Sequence, residues 1–478
     1  MKTIREITDK GRPADQVIAD LKKKNIEVPA WGLLEKEYDP KKHPIKTDPL
    51  FLDKVTKGGI TKVSKITLGL QRLATNRITE LMYGIPVKRI YKTGEDENMK
   101  RAADIMEKIF QKNRIDAVNL DRGKKLFCAC EVVTLWYAQL LEQEHKLYGE
   151  PTKIKLRCKT YSPKDGDALY PLFDESDDMI ALSIEYTRKE GSKTIRYFDT
   201  YSADQHLRWA DGVEEVREDI GLIEIAESVE SGEPVRTMKI KEGLGKIPGV
   251  YIYRPTPIWE DQSENVYEAE YALSRQGNYI RKNSKPIFGV FSDGNVKYGG
   301  EDDKDDRLIV QYGKDDDAKY ITWEQAIDSL KFYKETLFDS FFTELQLPNI
   351  SFDKMMSEAM SGESRKWVFV DAQMKVTDEA GSWLEFFDRE INVVRAWMKI
   401  MYPDLSDAID ELDIELKITP YSITDEKELI ENLTTAAGGE PILSQEEAVR
   451  QLGYVDDVED EIKRLKAQSA KNIFEPAE

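Results

Sequence analysis

Residues 263–283, SENVYEAEYALSRQGNYIRKN, and residues 323–345, WEQAIDSLKFYKETLFDSFFTEL, are the part of the sequence that decides the fold. Apolar residues recur through both stretches at spacings of three, four and seven, which predicts two long helices. Thr322 and Gln325 form a capping box that favours a start of the second helix near residue 323. At about 1.5 Å per residue, each helix would be about 30–35 Å long.

A small insert, residues 284–322, separates the two helices. Three stretches within it, 286–291, 307–312 and 318–321, have the composition of strands. Two helices that frame a small β module are an unusual arrangement, and this is the main architectural clue in the sequence.

The rest of the chain falls into recognisable segments. Residues 1–60 indicate an N-terminal arm with one short helix after Pro13, and proline-containing pairs keep the chain extended further on. Residues 61–262 predict an α+β body, with a helix over 97–112 and strands over 127–141, 154–161, 180–188, 194–200 and 249–254. A long helix that Pro403 closes, a strand over 412–419 and a helical tail follow.

Composition and charge exclude several classes of protein. The 478 residues carry 70 Lys and Arg against 90 Asp and Glu, and the net charge of −20 argues against tight binding of nucleic acid. An apolar fraction of 40% is enough for buried cores and argues against wholesale disorder. No stretch is apolar enough for a transmembrane helix or a signal peptide, so we expect an intracellular, soluble protein.

Cysteine, histidine and glycine patterns give no convincing catalytic or metal site. Cys128, Cys130 and Cys158 lack the paired spacing of a zinc site, and the three histidines have no partner pattern. The stretch GLGKIPG at 243–249 lacks the Lys-Ser/Thr ending of a phosphate-binding loop, and we expect a turn that leads into a strand. We predict neither a cofactor nor a metal.

Two acidic runs in the insert leave an alternative open. Residues 301–306 and 315–317 would supply carboxylates for a metal-dependent nuclease, but they lie in turn-like stretches rather than on rigid elements. An unrelated scaffold or adaptor protein, with the two helices in a coiled coil, is a third possibility.

Six motifs in order resemble the portal proteins of tailed bacteriophages, the head-to-tail connectors, and in particular those of long non-contractile-tailed phages. They are ITELMYGIPV at 78–87, GKKLFCACEV at 123–132, GKIPGVY at 245–251, the stretch from Ser263 to Gly289 in which the first long helix runs into the insert, LPNIS at 347–351 with SGESR at 361–365, and ILSQEEA at 442–448 with its acidic continuation. The resemblance covers roughly residues 61–469. The N-terminal arm has no clear counterpart, and Glu363 stands where the family usually has a small or apolar residue.

The resemblance implies a multidomain α+β portal fold. It assigns residues 61–262 to the wing, 263–283 and 323–347 to two stem helices, and 284–322 to an α/β clip between them. Residues 348–364 become the tunnel loop, 365–417 a long helix that returns to the wing, and 418–478 a helical crown.

The resemblance also implies a function without catalysis. Twelve subunits would form a ring at one capsid vertex, through which double-stranded DNA enters during packaging and leaves at ejection. The ring would be assembled in the host cytoplasm with the major capsid and scaffolding proteins and would reside in the virion. It would bind the large terminase subunit, which hydrolyses ATP, and later the head-completion or adaptor protein, with no membrane partner.

Candidate site residues follow from these assignments. The tunnel loop would face DNA through Ser351, Phe352, Lys354, Met355, Met356, Met360, Arg365 and Lys366. The clip would dock its partners through Asp302, Asp303, Asp305, Asp306, Asp315, Asp316 and Asp317.

Overall fold

A computed structural model of the chain defines the fold. It describes residues 4–8, 12–56, 59–203, 205–210, 213–219, 244–283, 287–291, 297–299, 309–311, 317–321, 327–349, 369–421, 426–438, 441–452, 455 and 458–472. Two compact units can be distinguished, one of Met1–Asn349 with Met374–Pro420 and one of Ile350–Gln373 with Tyr421–Glu478.

Helices and strands both contribute to the structure, which confirms the α+β class. The α-helices are α1 (Ile4–Ile7), α2 (Ala14–Leu21), α3 (Trp31–Tyr38), α4 (Leu70–Tyr83), α5 (Glu97–Lys112), α6 (Ile115–Ala129), α7 (Ser263–Asn283), α8 (Ile327–Glu344), α9 (Val370–Met401), α10 (Ser406–Glu411), α11 (Glu426–Ala437), α12 (Gln445–Leu452) and α13 (Val458–Asn472). Short 3-10 turns lie at Pro44–Lys46, Pro49–Phe51, Pro163–Asp165 and Pro403–Leu405. Among the described residues, no helix is long and apolar enough to cross a membrane.

The strands form several antiparallel sheets. They are β1 (Lys54–Thr56), β2 (Gly59–Thr61), β3 (Lys88–Lys92), β4 (Glu131–His145), β5 (Thr152–Tyr161), β6 (Ala168–Phe173), β7 (Met179–Glu190), β8 (Lys193–Tyr201), β9 (His206–Ala210), β10 (Val213–Asp219), β11 (Gly249–Tyr253), β12 (Ile287–Phe291), β13 (Lys297–Gly299), β14 (Ile309–Gln311), β15 (Asp317–Ile321) and β16 (Asp413–Lys417). The larger sheets have the orders β10-β9-β8-β7-β6 and β11-β4-β5.

These two larger sheets share a core. Val133 and Leu135 of β4 belong to the same buried cluster as Leu169 of β6 and Leu182 of β7. Because neighbouring residues of a strand point to opposite faces, Ala181 lies on the other face of the five-stranded sheet.

The N-terminal segment covers that other face. Ile7, Val17 and Leu21 are buried against Ala181 and Trp209 of the sheet. The helix predicted after Pro13 is present as α2, but α3 was not predicted. The described residues of the N-terminal segment therefore belong to the same compact unit as the sheets.

The sequence-based boundary of β4 was wrong. Residues 127–129, which were predicted to begin a strand, form the last turn of α6, and Cys130 ends that helix with a left-handed φ of 63°. Phe127, Cys128 and Ala129 are fully buried. A short apolar run of this kind has no polar face, so its periodicity cannot distinguish a buried helix from a buried strand.

After α9 the chain returns to the first unit. β16 pairs with β3 from Asp413 opposite Lys92 to Lys417 opposite Lys88. This confirms the strand predicted over residues 412–419. The helices predicted in the tail are present as α11, α12 and α13, and Ser444 caps α12 by accepting a hydrogen bond from the Glu447 amide at 3.2 Å.

Candidate functional site

The two long helices predicted from the sequence lie against each other in opposite directions. Tyr333 of α8 donates a hydrogen bond to Glu268 of α7 at 3.4 Å, and Gln262, just before α7, donates to Glu344 at the far end of α8. At about 1.5 Å per residue, the 21 residues of α7 span about 31 Å and the 18 residues of α8 about 27 Å. The helical hairpin is therefore confirmed within the described residues.

Strands between the helices continue the hairpin. β12 pairs with β15, from Ile287 opposite Ile321 to Phe291 opposite Asp317. β13 and β14 form a second antiparallel pair nested inside the first, with Tyr298 opposite Val310. The predicted strands 286–291, 307–312 and 318–321 correspond to β12, β14 and β15, whereas β13 was missed because its three residues are too few to show alternation.

An extended segment, residues 64–68, is bound along α7 by polar side chains. Glu270 accepts a hydrogen bond from the Leu68 amide at 2.7 Å, and Ser274 accepts one from the Ile66 amide at 2.8 Å. Asn278 accepts from the Ser64 amide and donates to the Ser64 carbonyl oxygen at 3.2 Å. Four helical residues rise about 6 Å and two extended residues span nearly the same distance, so the two periods match. We call this arrangement the α7 strap.

His43 adds a buried polar contact at the strap. Its Nδ1 lies 2.6 Å from Glu270 Oε1, and its Nε2 donates to the carbonyl oxygen of Glu37 at 2.7 Å. His43 is 2% exposed and Glu270 1%. Because a carboxylate removed from water is costly unless it is hydrogen-bonded, the contacts from His43 and Leu68 make burial of Glu270 possible.

The N-terminal segment makes further contacts with α7. Tyr267 donates a hydrogen bond to Asp48, which raises the pKa of the Tyr267 hydroxyl to about 12 and lowers the pKa of Asp48. The Phe51 ring meets the Tyr271 ring edge to face, with centroids 5.4 Å apart. α7 is thus fixed along most of its length by residues 43–68.

The end of α8 is fixed in a different way. Gln346 adopts a left-handed φ of 54°, and the Leu347 amide donates to the Phe342 carbonyl oxygen at 2.9 Å, as in a Schellman motif. Arg77 of α4 donates to the carbonyl oxygen of Pro348 at 2.5 Å and lies 4.4 Å from the centre of the Phe342 ring. The helix therefore ends at Glu344, before Pro348, and its exit is anchored on α4.

Most of the predicted site residues lie outside the described residues. This holds for all of the tunnel-loop set, Ser351, Phe352, Lys354, Met355, Met356, Met360, Arg365 and Lys366, and for Asp302, Asp303, Asp305, Asp306, Asp315 and Asp316 of the clip set. Asp317 is described, and it opens β15 opposite Phe291. Its position in a strand differs from the turn-like setting that the sequence suggested.

Sequence reasoning missed the residues of the α7 strap. Glu270, Ser274 and Asn278 recur at a spacing of four, which places them on one face of α7. A polar stripe of this kind usually faces solvent. Only the burial of these side chains in the structure shows that they bind the backbone of residues 64–68. The described residues contain no group of three or more His, Cys, Asp or Glu placed to hold a metal.

Burial also determines the chemistry of the three cysteine thiols. Cys128, Cys130 and Cys158 are free, and burial raises the pKa of each thiol to about 12. A thiol with so high a pKa is a poor nucleophile and a poor metal ligand at neutral pH. Cys128 and Cys130 are fully buried, as predicted for core cysteines, whereas Cys158 is half-buried.

A paired helical hairpin with nested strands, carried by an α+β body, is the arrangement expected of a phage portal protein. The sequence model of one family, described as "Phage portal protein, SPP1 Gp6-like", matches residues 25–473. The chain therefore belongs to the SPP1 Gp6-like family of phage portal proteins, which are structural head-to-tail connectors.

Comparison with solved structures gave distant similarities. One is the neck of an empty gene transfer agent particle computed with C6 symmetry, with 10% identity, a TM-score of 0.40, and coverage of 81% of this chain and 90% of that chain. Another is the virion of a native gene transfer agent particle, with 9% identity, a TM-score of 0.39, and coverage of 91% and 98%. No curated protein sequence matched the chain.

Proposed function

We propose that twelve copies of this chain form a ring at one vertex of a phage capsid and that double-stranded DNA passes through its bore. DNA would enter during packaging and leave at ejection. The observation that carries the proposal is the antiparallel hairpin of α7 and α8, with nested strands at one end and anchored helix termini at the other, in a chain of the portal family.

Anchorage of the hairpin suits such a channel. Packaging moves a stiff, highly charged duplex past the wall, so the stem must keep its position under load. The polar contacts of the α7 strap and the Arg77 contact at Pro348 would fix the two helices to the body at separate points. A wall built from these helices would be about 27–31 Å deep.

The net negative charge of the chain favours passage of DNA through the ring rather than tight binding. Each chain carries −20, so twelve carry about −240, and an acidic ring repels the phosphates of a translocating duplex. In the tunnel loop and directly after it, Lys354, Arg365 and Lys366 would provide transient phosphate contacts. Replacing all three with alanine should alter DNA packaging or retention more than ring assembly. A variant that fails to assemble rings would contradict this role.

Residues 284–322 would form the clip that receives partner proteins. We propose that its acidic residues contact basic surfaces of the large terminase subunit and then of the head-completion protein. Reversing the charges of Asp302, Asp303, Asp305 and Asp306 should weaken docking and leave rings intact. Unchanged docking of these partner proteins at low salt would contradict the proposal.

Electron microscopy of the purified chain tests the proposal as a whole. Negative staining should show annular particles with a central hole. Filaments or a plain coiled-coil rod would favour a scaffold instead. Mg²⁺-dependent cleavage of a plasmid by the purified chain would favour the nuclease alternative.

A further inference from the structure

The two ring nitrogens of His43 both face acceptor atoms. Nε2 lies 2.7 Å from the carbonyl oxygen of Glu37, which can only accept a hydrogen bond, so Nε2 carries a proton. Nδ1 lies 2.6 Å from Glu270 Oε1. Two lone pairs at this separation repel each other, so a proton lies between these atoms as well. The contact therefore needs one proton more than a neutral imidazole and an ionised carboxylate together carry.

Leu68 favours the imidazole as the holder of this additional proton. Glu270 Oε1 also accepts a hydrogen bond from the Leu68 amide at 2.7 Å, and a second donor at the same oxygen stabilises the ionised carboxylate. His43 is then an imidazolium that donates from both nitrogens. Both side chains are removed from solvent, with 2% of His43 and 1% of Glu270 exposed. A charge on one of them is therefore tolerated only while the other is charged too.

His145 has the opposite arrangement. Its Nε2 lies 3.1 Å from the carbonyl oxygen of Ile154, but its Nδ1 accepts a hydrogen bond from the Leu147 amide at 3.3 Å. One donor and one acceptor are what a neutral imidazole offers. The groups around the two rings thus specify a neutral His145 and a doubly protonated His43, and His145 supplies an internal reference.

Other charged groups lie on the segments that meet at this pair. Within the residues that the structure describes, none of them contacts the His43 ring or the Glu270 carboxylate, and Lys36, Lys41 and Glu264 are exposed. The remaining groups have partners of their own: Glu35 with Lys42, Glu37 with the Trp259 indole, Asp39 with Arg72, Lys46 with the Lys65 carbonyl oxygen, Asp48 with Tyr267, Lys65 with Asp53, Glu268 with Tyr333, and Arg275 with Tyr271. The proton is thus held by His43 and Glu270 alone.

We propose that the His43–Glu270 pair is a proton-dependent latch, which holds the α7 strap closed while the proton is present and lets it open when the proton is lost to solvent. Without the proton, the Glu270 carboxylate faces a bare nitrogen lone pair in a site closed to solvent. The pair must then separate or draw water in, and either change loosens residues 64–68 on α7. The latch is a property of the single chain, so it goes beyond the portal function and does not depend on ring formation.

Hydrogen exchange at the histidine Cε1 position tests the protonation directly. This slow exchange follows ring protonation and is read by mass spectrometry for each of the three histidines of the full-length protein, from about pH 5 to pH 10. We expect the midpoint for His43 to lie at least about one pH unit above the midpoint for His145. Glu270→Gln, which removes the carboxylate charge and keeps the shape, should lower the His43 midpoint by about one pH unit or more. A His43 midpoint at or below that of His145 overturns the proposal.

Amide exchange of the peptide over residues 62–69 tests the opening of the strap. Expressed as protection relative to a free peptide, which removes the base catalysis of exchange itself, it should fall about tenfold across the His43 midpoint. The hydrogen bond to Asp48 raises the pKa of Tyr267 to about 12, so this hydroxyl keeps its proton over the same range. His43→Gln should make the protection independent of pH, whatever its absolute level. The peptide over residues 98–110 of α5, which contains no histidine, should show constant protection.

Glu268→Gln is the matched control for the latch. It removes a carboxylate of α7 two residues from Glu270, and Glu268 is exposed and meets Tyr333 rather than His43. The His43 midpoint and the pH course of strap protection should both remain as in the wild type. Strap protection that follows the same pH course in the wild type and in His43→Gln overturns the latch.

Discussion

Arg122 and Glu390 form a bidentate ion pair with both side chains buried. Arg122 Nη1 and Nη2 donate to the two carboxylate oxygens at 2.8 and 2.9 Å, and the side chains are 0% and 3% exposed. The Trp136 indole also donates to Glu390 at 3.0 Å. One carboxylate thereby joins α6, β4 and α9, which fixes the rotation of the long helix α9 against the body.

Breaking this pair should destabilise the first compact unit strongly. We expect Glu390→Leu to lower the free energy of unfolding by about 3–5 kcal/mol, because it leaves the Arg122 guanidinium buried without a counter-charge. Urea denaturation followed by tryptophan fluorescence measures the change. The Arg122→Met/Glu390→Leu double variant should lose less than Glu390→Leu alone, since no uncompensated charge remains.

A neighbouring ion pair supplies the control. Arg389 and Glu385 pair on the exposed side of the same helix. Arg389→Met should change stability by no more than about 1 kcal/mol, since exposed pairs contribute little. Equal effects of Arg389→Met and Glu390→Leu would show that burial of the pair has no special weight.

Removing the polar side chains of the α7 strap should loosen residues 64–68. Ser274→Ala deletes the acceptor of the Ile66 amide, and Asn278→Ala deletes that of the Ser64 amide. At about 1 kcal/mol for the lost acceptor alone, amide exchange in these residues should speed up by at least about fivefold for each change, since Ser274 and Asn278 also donate to the Ile66 and Ser64 carbonyl oxygens. Hydrogen-exchange mass spectrometry of the peptide over 62–69 provides the measurement. Ile280→Ala, at an exposed position of α7, should leave exchange unchanged, and unaltered exchange in Ser274→Ala would refute the strap.

Gly249 should not tolerate a side chain. A Cβ at this position would lie 2.3 Å from Cδ2 of Leu182, which is fully buried in the shared core of the two sheets. We expect Gly249→Ala to cost about 1–3 kcal/mol of unfolding free energy through overpacking. Gly381→Ala is the matched control, since a Cβ there meets nothing within 4 Å in the interior of α9. It should stabilise by up to about 1 kcal/mol, and a similar response to both changes would contradict the packing argument.

Asp199 should make the first unit sensitive to acid. Burial raises the pKa of this carboxyl, but His206 and the bidentate Arg208 guanidinium outweigh burial and hold the pKa at about 2. A folded-state pKa below the ordinary value of 3.8 gives stability that is complete above pH 4 and is lost as pH falls towards 2. The contribution is about 2 kcal/mol.

Denaturation at several pH values measures this effect. The loss of unfolding free energy between pH 4 and pH 2 should be smaller in Asp199→Asn than in the wild type by about 2 kcal/mol, although the variant is less stable at pH 7. Asp104→Asn, which removes an exposed partner of Lys108, should keep the wild-type acid profile. An unchanged profile in Asp199→Asn would assign the acid sensitivity to other carboxyls.

Helices and strands could be predicted from the sequence where the periodicity of apolar residues was long and unambiguous. The helices α5 and α7 begin and end where the sequence placed them, because each has an amphipathic period over four or more turns and clear terminal residues. The short strands β3, β6 and β13 were missed, because three to six residues cannot establish a period. The GKIPG stretch was correctly interpreted as a turn into a strand, with Gly245 at a φ of 69° and β11 beginning at Gly249.

The sequence by itself determined the α+β class, the two long helices with their strand-bearing insert, and the portal resemblance that the family match confirmed. These features depend on local periodicity and on the order of motifs, both of which a linear sequence records. Only the tertiary structure decided that Glu270, Ser274 and Asn278 bind an extended segment about 200 residues away in sequence, and that Arg122 meets Glu390. Such contacts depend on which surfaces the fold removes from water, and a polar residue has the same letter in the sequence whether it is solvated or buried.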